Sequence, residues 1–288
     1  MAGRVEIFEV GPRDGLQNEA RAISVVDKIA LVDALSGAGF SRIEVASFVS
    51  PKWVPQMAGS GAVLRGITRA PGVRYAALTP NMRGLTDAID AGADEVAVFA
   101  SASDGFSRAN INATIAESLE RFAPVLDVAG EQGLRVRGYV SCVVECPYDG
   151  PVRPEAVAHV AQALRDMGCY EISLGDTIGS AAPEAVDAML AAVADVVPVA
   201  RLAGHFHDTS GRALDNIEAS LARGVRVFDA AVGGLGGCPF APGAAGNVAT
   251  EAVHDRLTAL GYETGLNATV LERAAGMAQR LRGAGEKS

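Results

Sequence analysis

Eight short runs rich in Val, Ile, Phe and Tyr recur along the chain, and longer stretches with helical spacing separate them. The runs lack strict apolar–polar alternation, which is typical of strands buried on both faces of a parallel sheet. They predict strands at 4–10, 42–47, 73–78, 95–100, 135–143, 170–175, 200–207 and 225–231. The stretches after them predict helices at 25–38, 58–69, 83–92, 113–132, 153–168, 183–196, 211–223 and 247–260.

Residues at the predicted helix ends support this division. Ser24, Asn112 and Pro183 are residue types favoured at helix starts. Glycine is favoured just beyond the last turn of a helix, and it precedes the next strand at Gly39, Gly92, Gly168 and Gly224. The repeated helix–glycine–strand joint indicates consecutive βα units.

Eight βα units in one chain favour a closed (β/α)8 TIM barrel, with an additional C-terminal helix at about 268–283. A doubly wound open sheet is the alternative. Residues 10–15 read VGPRDG, however, and lack the G-x-G-x-x-G phosphate loop of a dinucleotide-binding sheet. We see no linker that divides the chain, so we expect one catalytic barrel domain over residues 1–288.

Composition and charge limit the kinds of partner and cellular location that we expect. The net charge is −9 and no basic run is present, which argues against nucleic acid as a partner. No apolar run is long enough to cross a membrane, and the first residues resemble neither a signal nor a transit peptide. We therefore expect no membrane partner and a cytoplasmic location. Four cysteines match no common zinc spacing and are expected to be free thiols: Cys142, Cys146, Cys169 and Cys238.

His205 and His207 stand at the end of the predicted strand 200–207. Residues two apart on a strand point to the same face, so both imidazoles project together where the chain leaves the sheet. Paired neutral imidazoles are poor core residues and good ligands for a divalent cation. A pair of hydrogen-bonded structural histidines is the alternative.

Further polar residues follow the carboxyl ends of other strands, where the active site of a TIM barrel lies. Asp14 and Asn247 add a carboxylate and an amide to the two histidines, and this set suits Mg²⁺ or Mn²⁺, with zinc left open. Arg13, Glu44 and Asp176 are candidates for catalysis. The alternatives are a turn for Asp14, a helix cap for Asn247 and structural ion pairs for the acidic residues.

Cys238 follows a loop with four glycines in five residues, at 233–237. Glycines permit positive φ and remove side-chain bulk, so such a loop can approach a ligand closely. A free thiol is an awkward choice for an exposed loop, which favours a functional thiol over an ordinary surface one.

Five motifs resemble those of 3-hydroxy-3-methylglutaryl-CoA lyases, at 10–19, 47–57, 138–142, 168–179 and 234–251. The last of them, GLGGCPFAPGAAGNVATE, is similar to the cysteine-loop signature of that family. The resemblance extends over nearly the whole chain. It implies a metal-dependent barrel that cleaves 3-hydroxy-3-methylglutaryl-CoA to acetoacetate and acetyl-CoA.

The resemblance also implies roles for the candidate residues, position by position. The metal ligands would be Asp14, His205, His207 and Asn247. Arg13 would stabilise the developing enolate, and Cys238 would be the catalytic cysteine of the loop. Glu44 and Asp176 would be acidic residues of the active site. The cofactor would be a divalent cation, Mg²⁺ or Mn²⁺, and the partner an acyl-CoA substrate, with a homodimer as one option for the assembly.

The chain departs from the family pattern that we expect at Glu145, Ser210 and Arg212, and mildly at 103–110. None of these departures removes a predicted ligand. They leave the size of the C3 substituent open, so cleavage of a longer branched 3-hydroxyglutaryl-CoA is a second hypothesis. A condensing synthase of the isopropylmalate or homocitrate type is a third, which the cysteine loop disfavours. A non-catalytic barrel that binds acyl-CoA is a fourth, which the intact ligand set disfavours.

Overall fold

The computed structural model describes the backbone of residues 3–238 and 241–283, with their side chains except at 238, 241–245 and 283. Eight parallel strands pair in chain order and close into a barrel, because the first strand also pairs with the last. The strands are β1 (Glu6–Glu9), β2 (Arg42–Ser47), β3 (Arg74–Leu78), β4 (Glu95–Ser101), β5 (Arg135–Ser141), β6 (Glu171–Asp176), β7 (Leu202–Phe206) and β8 (Val227–Ala230).

Helices surround the barrel. They are α1 (Val25–Ser36), α2 (Ser60–Gly66), α3 (Met82–Asp90), α4 (Asp104–Ile111), α5 (Ile115–Glu131), α6 (Pro154–Asp166), α7 (Pro183–Ala194), α8 (Ala213–Ala222), α9 (Thr250–Ala259) and α10 (Ala268–Gly283). The predicted (β/α)8 TIM barrel with an additional C-terminal helix is confirmed, and this helix, α10, packs against α1. Among the described residues, no helix has both the length and the apolar composition that a membrane span requires.

Two short hairpins extend from the rim where the strands end. Glu145–Cys146 pairs with Gly150–Pro151 after β5. Gly237–Cys238 pairs with Ala241–Ala245 after β8. Both hairpins lie in the loops that follow barrel strands, where a TIM barrel carries its functional residues.

The predicted helix starts are confirmed at two positions and wrong at one. Ser24 Oγ accepts from the backbone N–H of Asp27 at 3.1 Å, and Pro183 is the first residue of α7. Asn112 instead ends α4 with φ of 50°, and Thr114 starts α5 with a reciprocal capping box. The sequence pattern did not predict α4, a short helix of mixed composition that lies between the predicted strand 95–100 and the predicted helix 113–132.

An apolar layer lies between the strands and the helices, whereas the barrel interior is strongly charged. Arg42 and Arg137 are both at most 2% exposed, and both contact the ring of Phe8. Glu171 accepts from Arg42 at 3.0 Å and from Arg137 at 2.6 Å. Since a buried charge is costly without a partner, these ion pairs are what makes a charged interior tolerable.

Candidate metal and active site

A wide helical turn at Gly11–Gly15 follows β1 and carries two of the predicted site residues. The carbonyl of Val10 accepts from the backbone N–H groups of Arg13 at 3.1 Å and Asp14 at 2.7 Å. Gly15 packs directly on Leu235, where a Cβ atom would lie 2.6 Å from the Leu235 Cβ. This close packing places Arg13 and Asp14 over the carboxyl end of the barrel.

The structure brings all four predicted ligands together. Asp14, His205 and His207 each offer a ligand atom within 4.8 Å of the others. The two imidazole rings lie 5.4 Å apart, as the two-residue spacing predicts. Asn247 pairs with His207 through the backbone and donates from Nδ2 to Asp14 Oδ2 at 2.8 Å. The helix-cap alternative for Asn247 is wrong, since Ala249 is the residue that precedes α9.

The protonation states of Asp14 and His207 suit a bound cation. Burial raises the pKa of Asp14, but Arg13 and the two histidines outweigh it and lower the pKa to about 2. Burial lowers the pKa of His207 to about 4, with a further contribution from His205, so this ring is neutral. His207 Nδ1 is also buried without a hydrogen-bond partner. One carboxylate, two imidazoles and an amide in this state form a possible site for a divalent metal ion.

Asp229 on β8 is a site residue that the sequence reasoning missed. Its Oδ2 atom lies 3.1 Å from His205 Nδ1. Burial alone would lower the pKa of His205, but the carboxylates of Asp229 and Asp14 outweigh it and raise that pKa. The only signal in the sequence was an acidic residue inside a predicted buried strand.

Arg13 lies between two carboxylates beneath the cavity. Its Nε donates to Glu44 Oε2 at 2.5 Å and its Nη1 to Asp14 Oδ1 at 2.6 Å. The guanidinium also stands 5.5 Å from the centre of the Tyr139 ring. Burial raises the pKa of Glu44 while Arg13 opposes that rise. Glu44 therefore contacts Arg13, but it is not among the described residues that line the cavity, and its catalytic role stays a prediction.

The carboxylate of Asp176 contacts the backbone of the loop after β6. Its carboxylate accepts from the backbone N–H groups of Gly179 at 3.1 Å and Ala181 at 3.0 Å. It is not among the described residues that line the cavity. This placement favours support of the loop after β6 over direct contact with a substrate.

Cys238 falls partly outside the described residues. Its backbone pairs with Ala241, and its side chain is not described. Arg282 of α10 fixes the start of its loop by donating to the carbonyl oxygens of Gly234 and Gly236. The catalytic role of the thiol stays a prediction.

Asp14, His205, His207 and Asn247 are called the cation cluster below, because they form the candidate site for a cation. A cavity of about 870 Å³ opens above this cluster. Its floor is polar and includes Arg13, Asp14, His205 and His207. One part of its wall is apolar and is formed by Val49, Val54, Leu78, Phe99, Phe106 and Ile111. The lining also includes two exposed arginines, Arg108 and Arg121, and the indole of Trp53, which is 86% exposed.

The departures from the family pattern lie mostly away from this cavity. Glu145 accepts from Ser180 Oγ at 2.6 Å and so ties the hairpin after β5 to the loop after β6. Neither Ser210 nor Arg212 is among the described residues that line the cavity. The segment 103–110 does contribute, through Phe106 and Arg108 among others. Any effect of the departures on substrate size is therefore best sought in that segment.

A closed parallel barrel with two imidazoles, a carboxylate and an amide gathered at one rim defines a barrel enzyme with a candidate cation site. The chain belongs to the HMGL-like family, whose model matches residues 4–277. The family membership confirms the resemblance that the sequence motifs indicated.

Individual relatives cover nearly the same span. The 3-hydroxy-3-isohexenylglutaryl-CoA/hydroxy-methylglutaryl-CoA lyase of Pseudomonas aeruginosa is 60% identical over 264 residues, which are 92% of this chain and 88% of the relative. The HMG-CoA lyase of Brucella melitensis superposes with a TM-score of 0.97 at 61% identity, over 97% of this chain and 99% of that one. The HMG-CoA lyase of Acinetobacter baumannii, in complex with coenzyme A and 3-methylmalate, has a TM-score of 0.92 at 36% identity, over 97% and 92%.

Proposed function

We propose that this protein is a divalent-cation-dependent lyase that cleaves 3-hydroxy-3-methylglutaryl-CoA to acetoacetate and acetyl-CoA. The observation that carries the proposal is the convergence of Asp14, His205 and His207 beside Arg13 on the floor of one cavity, with Asn247 bonded to Asp14 from behind that floor. The names of the relatives, at up to 61% identity, support the same reaction.

The four clustered residues would hold Mg²⁺ or Mn²⁺, since both ions favour carboxylate and amide oxygens, and the two imidazoles would complete the ligand set. When bound, such a cation lowers the pKa of a hydroxyl that it contacts and orients the substrate. In the cleavage, the C3 hydroxyl releases its proton to solvent water in the open cavity, and its O–H electron pair forms the new carbonyl. The bond between C2 and C3 breaks, and its electron pair passes to the thioester enolate.

Arg13 is the group that we assign to the enolate oxygen. A fixed cation stabilises charge that develops in the transition state without reorganising. Glu44 holds the guanidinium through Nε at 2.5 Å, so Arg13 keeps its orientation when the site is empty of substrate. Cys238 is proposed to protonate the enolate carbon, and Asp176 to support the neighbouring loop.

The cavity also fits an acyl-CoA. Arg108 and Arg121 supply positive charge at its exposed edge, as phosphate groups of coenzyme A require. Trp53 is the only tryptophan of the chain, so its fluorescence reports binding at this edge. Titration with coenzyme A is expected to change that emission, and Trp53→Phe identifies the background.

A coupled assay for acetoacetate and acetyl-CoA tests the reaction. We expect product with Mg²⁺, none after chelation, and recovery when Mg²⁺ is restored. Arg13→Lys is expected to lower kcat by about 100-fold or more, because loss of one fixed donor commonly costs that much. Arg201→Lys, an exposed arginine before β7, is the matched control and should leave kcat unchanged. Absence of any metal-dependent product would refute the proposal.

A longer C3 substituent is a second candidate, and the apolar wall of the cavity favours it. The relative from Pseudomonas aeruginosa carries an isohexenyl substrate in its name. The ratio of kcat/KM for the two thioesters decides between them. If the apolar wall binds a longer chain, Phe106→Ser should lower kcat/KM for the longer thioester more than for the methyl one.

A further inference from the structure

Buried charges extend along the barrel interior and reach the cation cluster at Asp229 on β8. Asp229 is 2% exposed, and Arg137 on β5 donates to both of its carboxylate oxygens, at 2.9 and 2.7 Å. Ser173 on β6 donates to Asp229 Oδ2 at 2.8 Å, and His205 Nδ1 lies 3.1 Å from the same oxygen. The carboxylate thus joins the interior ion pairs to one candidate ligand.

This contact decides which nitrogen of His205 faces the cluster. An ionised carboxylate only accepts hydrogen bonds, so His205 donates its Nδ1 proton to Asp229. In the neutral ring, which is the form that can bind a cation, the free electron pair is then on Nε2, and this atom lies 3.9 Å from Asp14 Oδ2. A histidine ligand needs its free pair on the nitrogen that faces the cation.

We propose that Asp229 is a positioning residue of the cation site, because it holds His205 in the tautomer and ring orientation that present Nε2 to the ion. Arg137 in turn fixes Asp229 through a bidentate pair, which restricts rotation of the carboxylate. Glu171 accepts from a different nitrogen of Arg137, Nε, at 2.6 Å. Arg137 is therefore held from two sides, and only one of them leads to His205.

An amide cannot replace this carboxylate. Asp229 Oδ1 accepts from Arg137, and Oδ2 accepts from Arg137 and Ser173 and faces His205. In either orientation, the NH2 group of an asparagine would meet a donor of Arg137. Asp229→Asn should therefore disturb the ring of His205 as well as the ion pair.

The inference rests on the proposed cation site, and Mn²⁺ is the probe that tests it. We expect Asp229→Asn to weaken Mn²⁺ binding, measured by electron paramagnetic resonance or calorimetry, by about 10- to 100-fold. Glu171→Gln is the matched control. It breaks an ion pair of the same Arg137 and destabilises the fold, but it leaves the contact between Asp229 and His205 in place, so its Kd for Mn²⁺ should match that of the wild type.

The outcomes distinguish a failure of the proposed cation site from a failure of the positioning role of Asp229. Wild-type protein that does not bind Mn²⁺ overturns the proposed cation site and this inference with it. Wild-type binding with an equal Kd in Asp229→Asn overturns the inference alone. Equal weakening in Asp229→Asn and Glu171→Gln also overturns it, because the effect would then follow from lost stability.

Nitrogen NMR of the wild-type protein keeps the proposal testable if Asp229→Asn fails to fold. With Mg²⁺ bound, the ¹⁵N shifts of His205 should show a protonated Nδ1 and an unprotonated Nε2. Replacing His159 and His254 by glutamine removes the signals of the two histidines outside the cluster, and His205→Gln then identifies the signals of His205. The opposite tautomer, or a mixture of the two, would contradict the proposed role of Asp229.

Discussion

At the scale of single residues, Glu9 is a carboxylate buried at the end of β1. Its Oε1 accepts from the backbone N–H groups of Gly11 at 2.8 Å and Val232 at 2.9 Å, and its Oε2 accepts from Thr250 Oγ1 at 2.7 Å. Burial raises the pKa of Glu9 to about 7 in spite of these donors. The residue joins the first and last βα units, so its protonation bears on the closure of the barrel.

The raised pKa predicts that the contribution of Glu9 to stability falls as pH rises. Between pH 4.5 and about 7 the unfolded chain releases a proton that folded Glu9 retains, so the free energy of unfolding falls across this window. Glu9→Gln removes this dependence, and its stability relative to the wild type should rise by on the order of 3 kcal/mol over the same window. Urea unfolding at several pH values measures the difference.

Glu272→Gln, at an exposed position of α10, serves as the control for this pH series. It makes the same change of side chain outside the barrel. A stability difference between Glu9→Gln and the wild type that does not change with pH would mean that the Glu9 carboxylate ionises as it does in water.

At the scale of elements, the joints between helices and strands depend on glycine where the backbone turns back to the barrel. Gly39 joins α1 to β2 with φ of 98°, and a Cβ atom there would lie 2.5 Å from the carbonyl oxygen of Gly265. Gly72, before β3, has a similar φ of 82°, but a Cβ atom there would meet no heavy atom within 4 Å. Both positions have a left-handed backbone that strains any residue other than glycine, and they differ in the space available for a Cβ atom.

Alanine at these two glycines should therefore separate strain from crowding. Gly72→Ala is expected to cost about 1 kcal/mol of stability, from the left-handed backbone alone. Gly39→Ala is expected to cost about 3 kcal/mol, because the Gly265 backbone must also move. Denaturant unfolding of both variants measures the pair, and equal losses would contradict the role assigned to Gly265.

The same elements show what the sequence could and could not predict. The strands were predictable because each is a run of neighbouring apolar residues. His205 and His207 were found because residues two apart on a strand point to the same face. Asp229 was missed because its partner Arg137 is 92 positions away, and no local pattern indicates which strands meet inside a barrel. The side-chain contacts of Glu44 and Asp176 were equally out of reach, since each depends on a loop that folds over the strand end.

At the scale of the whole molecule, the cation cluster draws on both ends of the chain. Asp14 follows β1, His205 lies near the end of β7 and His207 directly after it, and Asn247 follows β8. The pairing of β1 with β8, from Glu6 opposite Val227 onward, brings these segments together. A cation bound there contacts side chains that are remote in sequence and meet only in the closed barrel, so binding and folding are coupled.

Mn²⁺ should therefore stabilise the entire fold. At a free concentration of about 100 times its Kd, a ligand that binds only the folded state adds about 2.7 kcal/mol. For a protein of this size that corresponds to a rise in Tm of about 4 to 5 °C. Calorimetry with Mn²⁺ and after chelation measures the shift. His207→Ala should abolish it, whereas His254→Ala, which loses only a hydrogen bond to Thr264, should lower Tm and keep the shift. A shift that survives in His207→Ala would mean that Mn²⁺ binds at another place, and the four clustered side chains would then need a different explanation.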